Sequence, residues 1–102
     1  MTNYRNGYEL ERAARQYLEQ AGYFVVRAGG SKGVADLVAL SPYEALLVQC
    51  KLDGYVPPGE RAALVNMAGY LGAEALIGSW HKVGRTARRV RFVNVDGEEW
   101  KP

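Results

Sequence analysis

The alternation of apolar and polar positions divides the chain into seven stretches. Leu10, Ala14, Tyr17, Leu18 and Ala21 recur at helical spacing, with Gly22 as a stop. Asn6 and Glu9 fit a capped helix start, with Asn6 as N-cap. Tyr23–Ala28 is rich in β-formers. Ala35–Leu40 and Ala45–Lys51 are two apolar runs of strand length around Ser41-Pro42-Tyr43-Glu44, a hairpin pattern. Leu52–Gly59 is a Gly- and Pro-rich loop, and Glu60–Leu71 a second helix stopped by Gly72. Ala75–Trp80 is a further strand, His81–Thr86 a polar turn, and Arg88–Val95 the last strand. Its apolar phase shifts at Val93, which predicts a bulge or an edge. The order is α-β-β-β-α-β-β, an α/β chain with a mixed β-sheet of about five strands flanked by helices. The second hairpin strand is apolar on both faces, as a covered central strand is.

The hairpin carries the first chemical signal. If Leu40 and Ala45 close the loop, Asp36 falls opposite Gln49, with Lys51 two residues further on the same face. A carboxylate, an amide carbonyl and an ammonium then share one face of two otherwise apolar strands, and an unpaired charge is costly to bury. In the first helix, Glu11 falls beside Leu18 at the edge of the apolar stripe, whereas Glu9 points further towards solvent. Glu11 is the better candidate to face the sheet, although either acid also fits a helix N-terminus favoured by the macrodipole. Oxygen donors of this kind suit Mg²⁺, with a neighbouring lysine to orient a water or to stabilise a pentavalent phosphorus.

Composition narrows the classes. The chain has 102 residues, enough for one domain over 1–102 with a small core. No apolar run reaches membrane-spanning length, and no secretory signal is visible after Met1. A single cysteine, Cys50, excludes an intrachain disulfide, and one Cys with one His excludes a zinc cluster. A cytoplasmic protein is the expectation. Cys50 reads as a small buried hydrophobe, since nothing near it in sequence supplies a base. Net charge is only +2, which permits a nucleic-acid partner if the charges are segregated. The basic residues do fall in groups: Arg5 and Arg12; Arg27 and Lys32; Lys82, Arg85, Arg88, Arg89 and Arg91. Each group is either a solvated surface or part of a phosphate-tracking one. The loop Gly29-Gly30-Ser31-Lys32-Gly33 lets backbone approach a ligand, and Ser31 and Lys32 suit phosphate contacts, although such a loop is often a plain turn. His81 is placed at the surface or against phosphate.

Glu11-Arg12, the run V-V-R-A into G-G-S-K-G-V-A-D-L-V-A, and then L-V-Q-C-K resemble the archaeal-type Holliday-junction resolvases of the PD-(D/E)xK nuclease superfamily. The resemblance covers Gly7 to about Leu71. It implies a restriction-endonuclease-like fold and places Glu11, Asp36, Gln49 and Lys51 at the metal and catalytic positions. The Cys50 backbone carbonyl becomes a further metal ligand, and Ser31 the loop serine. With the basic groups read as a phosphate-tracking surface around that acidic pocket, Arg5, Arg12, Arg27, Ser31, Lys32, Lys82, Arg85 and Arg88 are the expected DNA contacts. The resemblance also implies a homodimer that nicks two opposed strands of a four-way junction symmetrically with Mg²⁺ or Mn²⁺ and leaves ligatable nicks. Gln49 departs from the pattern, because the family has an acid there. Two other functions fit the same residues: a virus-type replication-repair nuclease acting on flaps or other branched DNA, and a catalytically weak DNA-binding module. With no base-reading element, recognition is expected to be by shape.

Overall fold

The computed structural model describes residues 2–28 and 34–102, with side chains from Gly7 onward. Helix α1 spans Thr2–Gln20, followed by β1 (Phe24–Arg27), β2 (Leu37–Leu40) and β3 (Ala45–Cys50). Helix α2 (Pro58–Leu71) leads to β4 (Glu74–Val83), β5 (Ala87–Asn94) and β6 (Glu99–Trp100). The six strands form one sheet in chain order, antiparallel except where α2 carries the chain from β3 to a parallel β4.

A helix covers each face. Leu10, Ala14 and Leu18 of α1 are buried against Leu37, Ala39, Leu46, Val48, Leu76 and Phe92. Leu64 and Ala68 of α2 are buried on the opposite face against Leu47, Ala75 and Ile77. β3 contributes Leu46 and Val48 to one cluster and Leu47 to the other, so its continuous apolar run is that of a central strand. Two glycines end the helices. Gly22 has φ +101°, and Gly72 is left-handed while the Ala73 N–H reaches the Ala68 carbonyl at 2.8 Å. In the β2–β3 loop, Ser41 Oγ accepts from the Tyr43 and Glu44 N–H groups.

Four sequence expectations change. α1 begins at Thr2, so Asn6 is no cap. Asn6 and Gly7 each weaken a helix by about 1 kcal/mol or less relative to Ala, too little to break it. β4 runs on through His81, Lys82 and Val83, paired with Arg89, Arg88 and Ala87, so His81 lies in a strand and the turn is confined to the tip at Gly84 (φ +74°). β5 has neither bulge nor edge at Val93: its pairing with β4 is unbroken and β6 lies on its other side. Val93 changes phase because it packs against the α2-side cluster while Phe92 serves the other. The sixth strand brings Trp100 edge-on to Phe92, with ring centroids 5.8 Å apart.

Candidate active site

The β2–β3 ladder has the register read from sequence. Leu40 lies opposite Ala45 and Leu37 opposite Val48. One residue earlier, at Asp36, the register slips. The Asp36 N–H donates to the carbonyl of Val48 at 2.8 Å, the residue that Leu37 already opposes. Two residues of one strand thus face one of the next, a β-bulge. The faces confirm the slip: Leu37 is in the α1-side cluster, yet Ala35, two residues away, is in the α2-side cluster. Asp36 therefore does not sit squarely across from Gln49 on a shared face, which corrects the sequence reading. Instead its carboxylate is re-aimed along the end of β3, where Oδ2 accepts from the Cys50 N–H at 2.7 Å.

That position surrounds Asp36 with charge. Burial is the main cause holding its carboxyl above the ordinary range; the Cys50 N–H opposes the shift, the Glu11 charge adds to it, Lys51 lowers it and Glu60 raises it again. Glu11 arrives from α1, with its side chain only 18% exposed and bonded to Arg27 Nε. Glu9 is 45% exposed and pairs with Arg88 at 3.1 Å. Glu11 is thus the acid that turns towards the sheet. Gln49 and Lys51 follow Leu47 on the α2-facing side of β3 by strand alternation, and Lys51 Nζ reaches Glu60 Oε1 at 2.8 Å. Cys50 packs against the α1-side core. Burial, then the charges of Asp36 and Glu11, push its thiol well up, so it is no thiolate nucleophile.

A hard cation suits this donor set. Asp36 and Glu11 carboxylates, the Gln49 side-chain carbonyl and the Cys50 peptide carbonyl are all oxygens, the ligands Mg²⁺ and Mn²⁺ take. Among the described residues, no three His, Cys, Asp or Glu side chains converge closely enough to hold an ion on their own. An ion at this site would have to draw on neutral carbonyls and water as well.

The basic residues are not evenly spread. Arg12, Arg15 and Arg27 line a small cavity with Tyr8 and Glu11. Arg88 lies over the Trp80 ring, 4.0 Å from its centroid, beside Glu9 of α1. Lys82 and Arg85 are exposed at the end of the β4–β5 hairpin. Ser31 and Lys32 lie outside the described residues, and Arg5 is described only as part of α1. Two charged residues escaped the sequence reading. Glu60 announces itself only as an acid in the first turn of α2. Arg15 carried a usable signal, since it stands four residues after Glu11 and so on the same helix face.

Comparison with known proteins bears on the same residues. A family model described as archaeal Holliday junction resolvase (Hjc) matches residues 2–99. The crossover junction endodeoxyribonuclease Hjc of Methanocaldococcus jannaschii is 46% identical over 48 residues, or 47% of this chain and 35% of that protein. The match to this curated relative thus spans about a third of its length. The structure of Hjc from Archaeoglobus fulgidus, a Holliday junction resolvase from an archaeal hyperthermophile, aligns with a TM-score of 0.72 at 28% identity. That alignment covers 88% of this chain and 78% of the other.

Proposed function

The chain belongs to the archaeal Holliday junction resolvase family, and we propose on that footing that it is a metal-dependent endodeoxyribonuclease acting in the cytoplasm as a homodimer to resolve four-way DNA junctions by paired nicks. The observation that carries the reading is the bulged Asp36, whose carboxylate is fixed by the Cys50 N–H at 2.7 Å and faces the charges of Glu11 and Lys51. Bulges recur beside active sites because they re-aim one side chain without unravelling the sheet.

Glu11, Asp36, Gln49 and the Cys50 carbonyl would hold Mg²⁺ or Mn²⁺. Bound there, the ion would supply a Lewis acid that activates a water and neutralises charge on the scissile phosphate. Asp36 contributes a carboxylate whose orientation is already set by a backbone donor. Lys51 contributes an ammonium for the charge that builds on phosphorus during in-line displacement. Arg27, held by Glu11, and Arg12, Arg88, Lys82, Arg85, Arg5, Ser31 and Lys32 are the DNA contacts of this reading. Those contacts are to backbone, so recognition is by the shape of the junction.

An apolar surface supports the dimer. Phe24, Val26 and Leu40 on β1 and β2 are 69%, 43% and 41% exposed. They point to the α2 side of the sheet, since Phe24 pairs with Leu40 and Val26 with Val38, which packs at the margin of the α2-side cluster. On α2, Met67, Tyr70 and Leu71 are exposed as well, whereas Leu64 is core. Two scissile strands related by a two-fold axis call for two equivalent sites.

The test is cleavage of a synthetic four-way junction, a flap and a linear duplex with Mg²⁺ or Mn²⁺. Paired nicks in the junction, absent with Asp36→Asn, are expected. Preferred cutting of the flap would transfer the function to a replication-repair nuclease. Junction binding without cleavage of any substrate would leave a DNA-binding module.

A further inference from the structure

We propose that Arg15 anchors a built-in seat for one DNA backbone phosphate, set into α1 beside Glu11. The inference rests on the nuclease reading for its ligand, and it adds a residue, Arg15, that neither the motif nor the basic groups of the sequence mark. Tyr8, Glu11, Arg12, Arg15 and Arg27 enclose a cavity of about 30 Å³, enough for a group the size of a water or a phosphate oxygen. Three guanidinium groups and one carboxylate surround it, so the lining is net cationic.

The donors are unequally committed. Arg27 Nε is taken by Glu11, but Arg15 Nε is buried and has no hydrogen-bond partner among the described residues. A buried donor left unmade is costly, and Glu11, four residues before it on the same helix face, does not relieve it. Arg15 also lines the cavity, so a phosphate oxygen entering there meets its side chain. A guanidinium offers phosphate a planar pair of donors, the geometry in which arginine binds it best. Arg12, three residues before Arg15 and more exposed, closes the seat from the solvent side.

The location gives the seat a purpose. Glu11 lines the cavity and its charge also reaches Asp36, so a phosphate held by Arg15 is seated on the α1 side of the same site. Seating it fixes the distance and direction of the strand relative to Asp36 and Lys51. Arg15 is therefore a positioning residue, and it contacts every DNA by its backbone, branched or not.

Fluorescence-anisotropy titrations of the full chain, run without divalent metal over a series of salt concentrations, test this. The probes are a four-way junction and a short linear duplex. Arg15→Gln should weaken both equally, by roughly 5- to 10-fold near 0.1 M salt, and make the slope of log K against log salt shallower by about 1. Arg15→Lys should keep the slope and recover part of the affinity. In the wild-type protein, the Arg15 Nε–H resonance should shift when the short duplex is added, a measurement that needs no variant to fold. Unchanged affinity and slope in folded Arg15→Gln would overturn the seat, as would an Arg15 resonance that stays put. A wild-type chain that cuts nothing would sink the nuclease reading, while the salt slope would still decide the seat.

Discussion

Asp36 shows how a single side chain can hold a cost and a function together. Burial raises its carboxyl pKa, so its contribution to stability is fully present below the unfolded carboxyl value, about 3.9, and is lost as pH rises through the raised folded value. At neutral pH the charged side chain is a burden on the metal-free fold. Asp36→Asn keeps an acceptor for the Cys50 N–H, and in chelator near pH 7 it should raise Tm; thermal melts across pH should show the gain fading in acid. The same variant should lose cleavage on the order of 10²–10³-fold while still binding the junction. Glu11→Gln should be nearly as damaging and Glu9→Gln mild, because Glu11 turns inward beside Arg27 while Glu9 sits on Arg88; single-turnover rates that ranked them in reverse would put the catalytic acid on the wrong helix face. Gln49 offers a neutral carbonyl where the family resemblance has an acid. Gln49→Glu should lower the metal concentration for half-maximal cleavage, and Gln49→Ala should raise it. Identical titration curves for all three proteins would remove Gln49 from the metal shell.

At the scale of elements, the site depends on how closely β3, β4 and β5 approach. Gly78 on β4 pairs with Cys50, and its carbonyl accepts from the Lys51 N–H at 2.9 Å, so it anchors the strand end that presents Lys51. A Cβ at Gly78 would stand 3.2 Å from the Phe92 ring and 3.7 Å from Cys50 Sγ. Phe92 has little freedom to retreat, with Trp100 edge-on and the Tyr17 ring at 5.5 Å. Gly78→Ala should therefore destabilise by about 1–3 kcal/mol, read as a lower urea midpoint. Cleavage should fall further than stability alone explains, because Cys50 and Lys51 move with the strand.

For the whole molecule, assembly turns on the exposed apolar residues of β1, β2 and α2. β1 is an edge strand, and the α2 side of β1 and β2 carries Phe24, Val26 and Leu40 uncovered. Exposed apolar area of this kind on a small chain marks an interface or an aggregation risk. The pair Phe24→Glu and Leu71→Glu should turn a dimer in sedimentation velocity into a monomer with unchanged helical circular dichroism. Paired junction cuts should become uncoupled single nicks. A wild-type chain that sediments only as monomer, with and without DNA, would end the dimer reading.

Much of this was legible in the chain itself. Alternation and helical spacing are local properties, so the order of elements, the hairpin register through Leu37, the central place of β3 and the choice of Glu11 over Glu9 all followed from residue pattern. Family membership was legible too, because Glu11-Arg12, G-V-A-D and Q-C-K are short runs whose order and spacing survive in sequence. What the tertiary structure decided is long-range. The bulge that turns Asp36 onto the Cys50 N–H is settled only where β2 meets β3. Val93 shifts phase because a helix covers each face, and β6 exists because Trp100 finds Phe92. The Lys51–Glu60 pair and the Arg27–Glu11 pair join residues from different elements. No local pattern encodes which side chains from separate elements will meet, since that is set by how helices and strands pack once the core closes.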